Sequence, residues 1–388
     1  MNFRNIYKAG LGLMVAFGAL MFFQSCDNKD VDGAPIISNV RLLDPLKADS
    51  SLNGALPGSA IVIQGQNLGS VLKVYFNDFE ASFNSALGSD NNIIVTIPAA
   101  APTKAVNPAV TNKIRVVTNG GEASYDFSLT SPKPRLDGLY SEFVKPGGTI
   151  ILNGDYFYNI KNVKLGATNL EVLSKTEKEI RVKMPAVAAI DFITVEGEFG
   201  TVKTNFKMND TTVYMMNFDV PVTTWGSTVC YGTAAILPGT DAGAISGKFS
   251  RIKQTKLPAT GYDDKWVLAS CYYEFKLPAG AAENRLFKFE HNVVEAWKAG
   301  KYDISVKVGD TEYFYTFQPW NSTQYQSAGY MTNGWKTAVI ELAEFKNAAG
   351  ATIADVSKIT DIKVAFSTPD KVIDSFNTSV DNFRIVAK

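Results

Sequence analysis

One histidine is all the imidazole in this 388-residue chain. That scarcity removes His-rich metal sites and most triad chemistry, which needs a placed imidazole. Excess charge is missing as well. Lys+Arg and Asp+Glu each number 38, so the formal net charge is zero, and no long basic stripe offers a nucleic-acid surface. Helical periodicity is scarce, apart from a turn near "VVEAWKAG". No Glu-x-Asp occurs anywhere, nor does Gly-x-Ser-x-Gly, His-Glu-x-x-His or a phosphate-loop pattern. A local carboxylate series for glycoside hydrolysis is therefore lacking. Cysteine is limited to Cys26, Cys230 and Cys271.

What is present begins with an export pattern. Arg4 and Lys8 precede an apolar run from Ala9 to Phe23, about fifteen residues and short for a membrane span. A basic start, a short apolar stretch and a small residue before the break predict a secretory signal over residues 1–25. The following "FFQSCDNKD" resembles the lipobox of Bacteroides-type lipoproteins, although Phe23 and Gln24 depart from the usual Leu-Ala-Gly-Cys. The resemblance implies lipid on Cys26, a linker over 26–32, and display on the outer face of the outer membrane, for which "DNKD" is the signal. Removing 1–25 takes away two positive charges and no negative ones, leaving 36 − 38 = −2. Cys230 and Cys271 then remain, in strand-like contexts; a disulfide and two buried thiols both fit the sequence.

Residues 33–208 repeat themselves. Pro57-Gly58 matches Pro146-Gly147, Gly65 matches Gly154, and Pro98 matches Pro185. Each copy is a series of short period-two runs, such as "AIVIQG" and "TIILNG", closed by Gly and Pro-Gly turns. That is the pattern of a small β-sandwich. The two copies, 33–130 and 131–208, resemble IPT/TIG domains, immunoglobulin-like modules; Asn67-Leu68 and Tyr156-Phe157 fill the last positions of that motif. As family members they are expected to act as a stalk.

From residue 209 to 388 strand signals continue, and all five tryptophans fall here. A jelly-roll-like sandwich is the natural reading. The fold class is thus all-β: two Ig-like (IPT/TIG) β-sandwiches followed by a larger jelly-roll-like β-sandwich. "LFKFEHNVVEAWKAGKYDISV", "QPW", "GWKTAVIELAEF" and "DNFRIV", in that order, resemble the C-terminal glycan-binding domain of Bacteroides surface glycan-binding proteins, with one departure at "VIELAEF", where the family often has Pro before Leu. The resemblance implies binding of a polysaccharide such as xyloglucan.

Strand parity divides the aromatics. In "EYFYTFQPW", Tyr313, Tyr315 and Phe317 share a face read as core, while Phe314, Thr316, Gln318 and Trp320 share the other. An indole beside an amide suits a sugar, whose C–H face stacks and whose hydroxyls need partners. Trp320 and Gln318 are therefore glycan-binding candidates. Trp225, Tyr262 and Trp266 join them from loop-like stretches, and Tyr325 with Tyr330 would close one side of the cleft. Trp297 and Trp335 read as core, and His291, sharing parity with Phe287 and Phe289, as a satisfied histidine. A jelly roll can also hold a structural calcium ion, for which Asp219 or Asp381 would supply oxygen. No other cofactor is expected.

The resemblance to those surface proteins implies a non-catalytic, lipid-anchored surface protein that captures a β-glucan or hemicellulose and hands it to an outer-membrane glycan importer. Its membrane contact would be through lipid alone, with no nucleic-acid partner. An adhesin for a protein partner is the alternative; a glycoside hydrolase stands third.

Overall fold

The computed structural model describes residues 33–388, apart from 188, 214–215, 220–222, 225–226, 229, 232–233, 258–265, 273–276 and 369–371. The expected leader and Cys26, together with Trp225 and Tyr262, lie outside the described residues. The chain divides into two compact units at Pro132/Lys133. Among the described residues every helical segment is a three-residue 3-10 turn, and the rest of the regular structure is strand.

The first unit is a small sandwich. Ile36–Leu42, Ala60–Gln66 and Asn92–Thr96 make one antiparallel sheet. Phe79–Ala81, Val71–Phe76, Lys113–Thr118 and Gly121–Asp126 make the other, in that order. Alternate residues turn inward, so Ile61, Ile63, Val74, Phe76, Ile93, Val95, Ile114 and Val116 form the core.

The second unit begins with the same plan. Arg135–Leu139, Thr149–Asp155, Glu179–Lys183 and Val172–Lys175 form one sheet; Thr168–Asn169, Ile160–Leu165, Phe192–Gly197 and Gly200–Lys207 form the other. The sequence repeat has a steric cause. Gly65 faces Ile37 across its sheet and Gly154 faces Leu136, each beside a register shift. A Cβ on Gly65 would lie 1.8 Å from the Ile36 carbonyl oxygen, and one on Gly154 2.0 Å from that of Arg135. Only glycine allows that approach.

The larger sandwich follows. One five-stranded sheet runs Cys230–Tyr231, Val267–Tyr272, Ile359–Ser367, Lys301–Val308, Thr311–Phe317; the other runs Ala235–Leu237, Phe249–Leu257, Ile373–Ala387, Arg285–Val293, Lys336–Glu341. All neighbours are antiparallel. Between them lies an aromatic core that includes Phe287, Phe289, Trp297, Tyr302, Phe366, Phe376 and Phe383. Trp297 is fully buried, and its indole N–H donates to the Ala299 carbonyl at 2.7 Å. Cys230 pairs with Cys271 across the first sheet, and Cys271 is disulfide-bonded, which decides between the two alternatives for this cysteine.

Strand Arg285–Val293 is buried on both faces. Phe287, Phe289 and His291 meet the sandwich interior, as parity requires. Lys288 and Glu290, on the other face, are covered by the segment around Tyr140–Phe143 of the preceding small sandwich. Lys288 Nζ lies 2.6 Å from Glu142, Arg384 lies 2.6 Å from Glu142 and 3.0 Å from Glu290, and Ser141 donates to Glu290 at 3.0 Å. The Thr337 hydroxyl donates to Glu290 at 2.8 Å and accepts the Glu142 N–H at 2.8 Å. The Thr337 N–H donates to the Tyr140 carbonyl at 3.0 Å. Two carboxylates and two cations thus balance one another out of water, each with further hydrogen bonds, as a buried charge cluster needs.

Candidate functional site

Trp320 does not stand on the strand that precedes it. That strand ends at Phe317, and Pro319 opens a 3-10 turn, Pro319–Asn321. Proline removes a ladder donor and fixes φ, so parity stops there. Within the strand parity holds: Tyr313, Tyr315 and Phe317 pack on the core, while Phe314 and Thr316 are exposed.

The turn carries Trp320 over the Ala299–Gly300 corner. Its indole N–H donates to the Gly300 carbonyl at 2.7 Å. Gly300 has φ +80, and a Cβ there would meet the Phe366 ring at 2.5 Å and the Ser367 carbonyl at 2.8 Å. The glycine lets the corner pass close to the neighbouring strand, and the corner in turn fixes the indole. Trp320 is half-buried, one part packed on the core. Its remaining surface lines a groove of about 320 Å3 with Gln318, Gly300, Lys301, Ser367 and Thr368.

The sheet register extends this site sideways. Lys301 pairs with Ser367, Tyr302 with both Phe366 and Phe317, and Val267 with Ala365. Trp266, Ser367, Lys301 and Gln318 therefore all come to one end of the five-stranded sheet. Trp266 and Gln318 are three strands apart, roughly 14 Å at ordinary strand spacing. Trp266 is half-buried, and among the described residues its indole N–H has no hydrogen-bond partner. Lys301 is paired with Asp303 at 2.8 Å, and Ser367 donates to the same carboxylate, so charged and hydroxyl groups border the groove.

Tyr330 departs from expectation. It is 3% exposed and belongs to the core. Its ring stacks on His291, and its hydroxyl lies 2.6 Å from His291 Nε2. A backbone bridge to Trp297 holds it there. Tyr325 remains half-exposed, edge-on to Tyr330 with centroids 5.0 Å apart, and packs against the same core. Tyr330 thus supports Tyr325 from inside and offers no face to a ligand. His291 is fully buried, and burial pushes its imidazole down to about 3, so it is neutral.

Trp335, expected in the core, is half-exposed. It packs edge-on against Phe249, donates its N–H to the Gly243 carbonyl at 2.8 Å, and lines a second cavity. Asp219 and Asp381, the residues expected to serve a calcium ion, both accept hydrogen bonds from protein groups. Asp381 is fully buried but accepts from the Asn382 N–H at 2.8 Å and the Ser246 hydroxyl at 3.3 Å; Asp219 accepts from the Lys248 N–H at 2.7 Å. Among the described residues no third His, Cys, Asp or Glu joins them. Burial, with Asp219 nearby, pushes the Asp381 carboxyl well above the usual range.

The groove residues that sequence reasoning missed are Gly300, Lys301, Ser367 and Thr368. A glycine before a strand after "WKAG" was the available signal; the other three depend on sheet register.

Comparison with known proteins places these features. Residues 208–387 match the family model described as surface glycan-binding protein B xyloglucan binding domain, and residues 50–131 match the IPT/TIG domain. An IPT/TIG domain-containing protein of Bacteroides ovatus is 33% identical over 203 residues, 48% of this chain and 41% of that protein, so the match spans about two-fifths of the relative's length. The crystal structure of a surface glycan-binding protein, SGBP-B, from Prevotella bryantii superposes with TM-score 0.70 at 21% identity, covering 92% of this chain and 99% of that one. SGBP-B from a complex xyloglucan utilization locus in Bacteroides uniformis gives TM-score 0.51 at 18% identity, over 91% of this chain and 99% of that one. These two likenesses establish the fold, a series of β-sandwiches along nearly the whole chain. The chain carries an IPT/TIG domain at residues 50–131 and, at residues 208–387, a domain of the surface glycan-binding protein B xyloglucan binding family.

Proposed function

We propose that the chain is a non-catalytic glycan-binding protein that captures a polysaccharide, a β-glucan or a hemicellulose such as xyloglucan, on the end of its C-terminal sandwich. The observation that carries this is the Trp320 groove. An indole is fixed by its own N–H and by Gly300, leaving ring surface beside an amide, a hydroxyl pair and a lysine. Sugars are met in that way, by stacking on one face and hydrogen bonding at the edge. Trp266 at the same end of the sheet extends the contact along a chain of sugars. Tyr262 and Trp225 remain candidates, and Tyr325 forms a flank. The family match and the SGBP-B fold support the same reading.

Capture needs no acid–base pair. Each stacked ring contributes on the order of 1 kcal/mol, so a few such contacts correspond to roughly millimolar affinity. Many copies on one surface raise retention by avidity. Lipid on Cys26 would hold the protein on the cell exterior, with the Ig-like modules as stalk and an outer-membrane importer as recipient. Affinity electrophoresis in gels containing xyloglucan, mixed-linkage glucan or mannan tests the reading. The chain should be retarded by at least one neutral polysaccharide, and Trp320→Ala should abolish the retardation. Retardation that survives this substitution, or none with any glycan, refutes it. Release of reducing sugar would favour a hydrolase instead.

A further inference from the structure

A second cavity lies away from Trp320, where the small sandwich meets the larger one. It has a volume of about 520 Å3, within the range of ligand sites. One wall is aromatic: Trp335 from the larger sandwich and Tyr140 from the smaller. Both are held in place. Trp335 donates its N–H to Gly243, and the Tyr140 hydroxyl accepts the Asn333 N–H at 2.7 Å. Their ring faces are what remains for a ligand.

The polar lining is one-sided. Lys145, Arg181, Asn292, Asn333 and Thr149 contribute side chains, and none of the sixteen described lining residues is acidic. Arg181 commits its Nε to Glu179 at 2.7 Å, which leaves its terminal N–H groups. Lys145 is exposed and enters no ion pair among the described residues. Nearby carboxylates are already engaged: Asp241 is paired with Arg251 at 3.4 Å, and Glu142 and Glu290, behind Ser141, are paired with Lys288 and Arg384. Lys336 stands over the Tyr140 ring at 5.7 Å and adds positive charge behind the wall. An aromatic wall with surplus cationic and amide donors fits a ring that carries its own carboxylate.

We propose that this cavity is a second glycan subsite, selective for an acidic sugar: a uronic acid, free or as a unit of a polysaccharide. The ring would lie against Trp335 and Tyr140, and the carboxylate would meet Lys145 and Arg181. The choice of a sugar as ligand rests on the glycan-binding reading above; the cavity, its walls and its charge do not.

Isothermal titration of the full chain with tri-galacturonate, galacturonic acid monomer and uncharged cellotetraose tests it. Tri-galacturonate should bind, more weakly as salt rises. The double variant Lys145→Ala/Arg181→Ala, at partly exposed positions, should weaken it about tenfold or more, as loss of a charged hydrogen bond does. Trp320→Ala should leave it unchanged. Binding of the monomer as well places recognition in one uronate ring; binding of the oligomer alone places it in the polymer, and both support an acidic subsite. No uronate binding, equal affinity in the double variant, or displacement by cellotetraose overturns the proposal. Failure of the Trp320 reading shows separately, as neutral-glycan retardation that is absent from the wild-type chain or survives Trp320→Ala, with uronate binding intact.

Discussion

Acidification should weaken the C-terminal sandwich through one side chain. His291 is fully buried between Phe289, Phe317 and Tyr330, with Lys336 opposite it in register. Burial first, and Lys336 second, push its imidazole from 6.5 down to about 3. The unfolded chain therefore takes up a proton that the folded chain refuses. Stability is lost as pH falls below 6.5, and the loss continues until about pH 3. Between pH 8 and pH 5 the unfolded imidazole becomes almost fully charged and the folded one stays neutral, which amounts to about 2 kcal/mol. The figure hardly changes for any folded value well below 5. Glu290 and Asp381, both pushed up by burial, act with the opposite sign, because the folded state takes up their protons at a higher pH than the unfolded state does. The comparison must isolate the histidine. Urea unfolding followed by tryptophan fluorescence reports this sandwich, since all five tryptophans lie in it. The wild-type chain and His291→Gln, which can still hydrogen-bond Tyr330, should differ by about 2 kcal/mol in their change of unfolding free energy from pH 8 to pH 5. An equal change in both would refute the reasoning, whatever the variant's absolute stability.

Three further outcomes follow from the geometry. Glu142→Ala leaves Lys288 and Arg384 facing each other without their shared carboxylate and should destabilise the second unit by about 3–5 kcal/mol in urea titrations. Gly300→Ala forces a Cβ into Phe366 at a positive φ; it should lower the melting temperature and weaken glycan retardation together, since the same corner anchors Trp320. Trp320→Phe keeps a ring but not the N–H that fixes it, and should retain only part of the affinity, a loss of several-fold for about 1 kcal/mol.

Much of the fold was legible because its causes are local. Period-two alternation gave the strands, and Tyr313, Tyr315 and Phe317 turned inward as counted. The Gly65 and Gly154 match was readable because a backbone clash enforces it in each copy separately. The site was less legible because its causes are distant. Tyr330 looked like a cleft residue in its own segment, but its hydroxyl partner is His291, 39 positions away. Trp320 lost its parity at Pro319, and the groove around it comes from Gly300 and Ser367 through sheet register. Hardest to see was the junction. "FKFEH" is an ordinary half-exposed strand by pattern, and nothing in it shows that a second domain covers Lys288 and Glu290. Glu142, the partner of Lys288 and Arg384, is 146 positions from the first and 242 from the second.

That junction bears on how the protein would catch a polymer. A binding surface on a loose swivel samples many orientations and must give them up when a long ligand settles on it. Here the second small sandwich and the larger C-terminal sandwich are clamped by Glu142, Lys288, Arg384 and Glu290 before any ligand arrives. Orientational freedom that is absent beforehand is not lost on capture, so more of each weak ring contact survives as net affinity. The charged clamp, distant from the Trp320 groove, would then act on holding time, and loosening it would speed release of the polysaccharide without altering a single sugar contact.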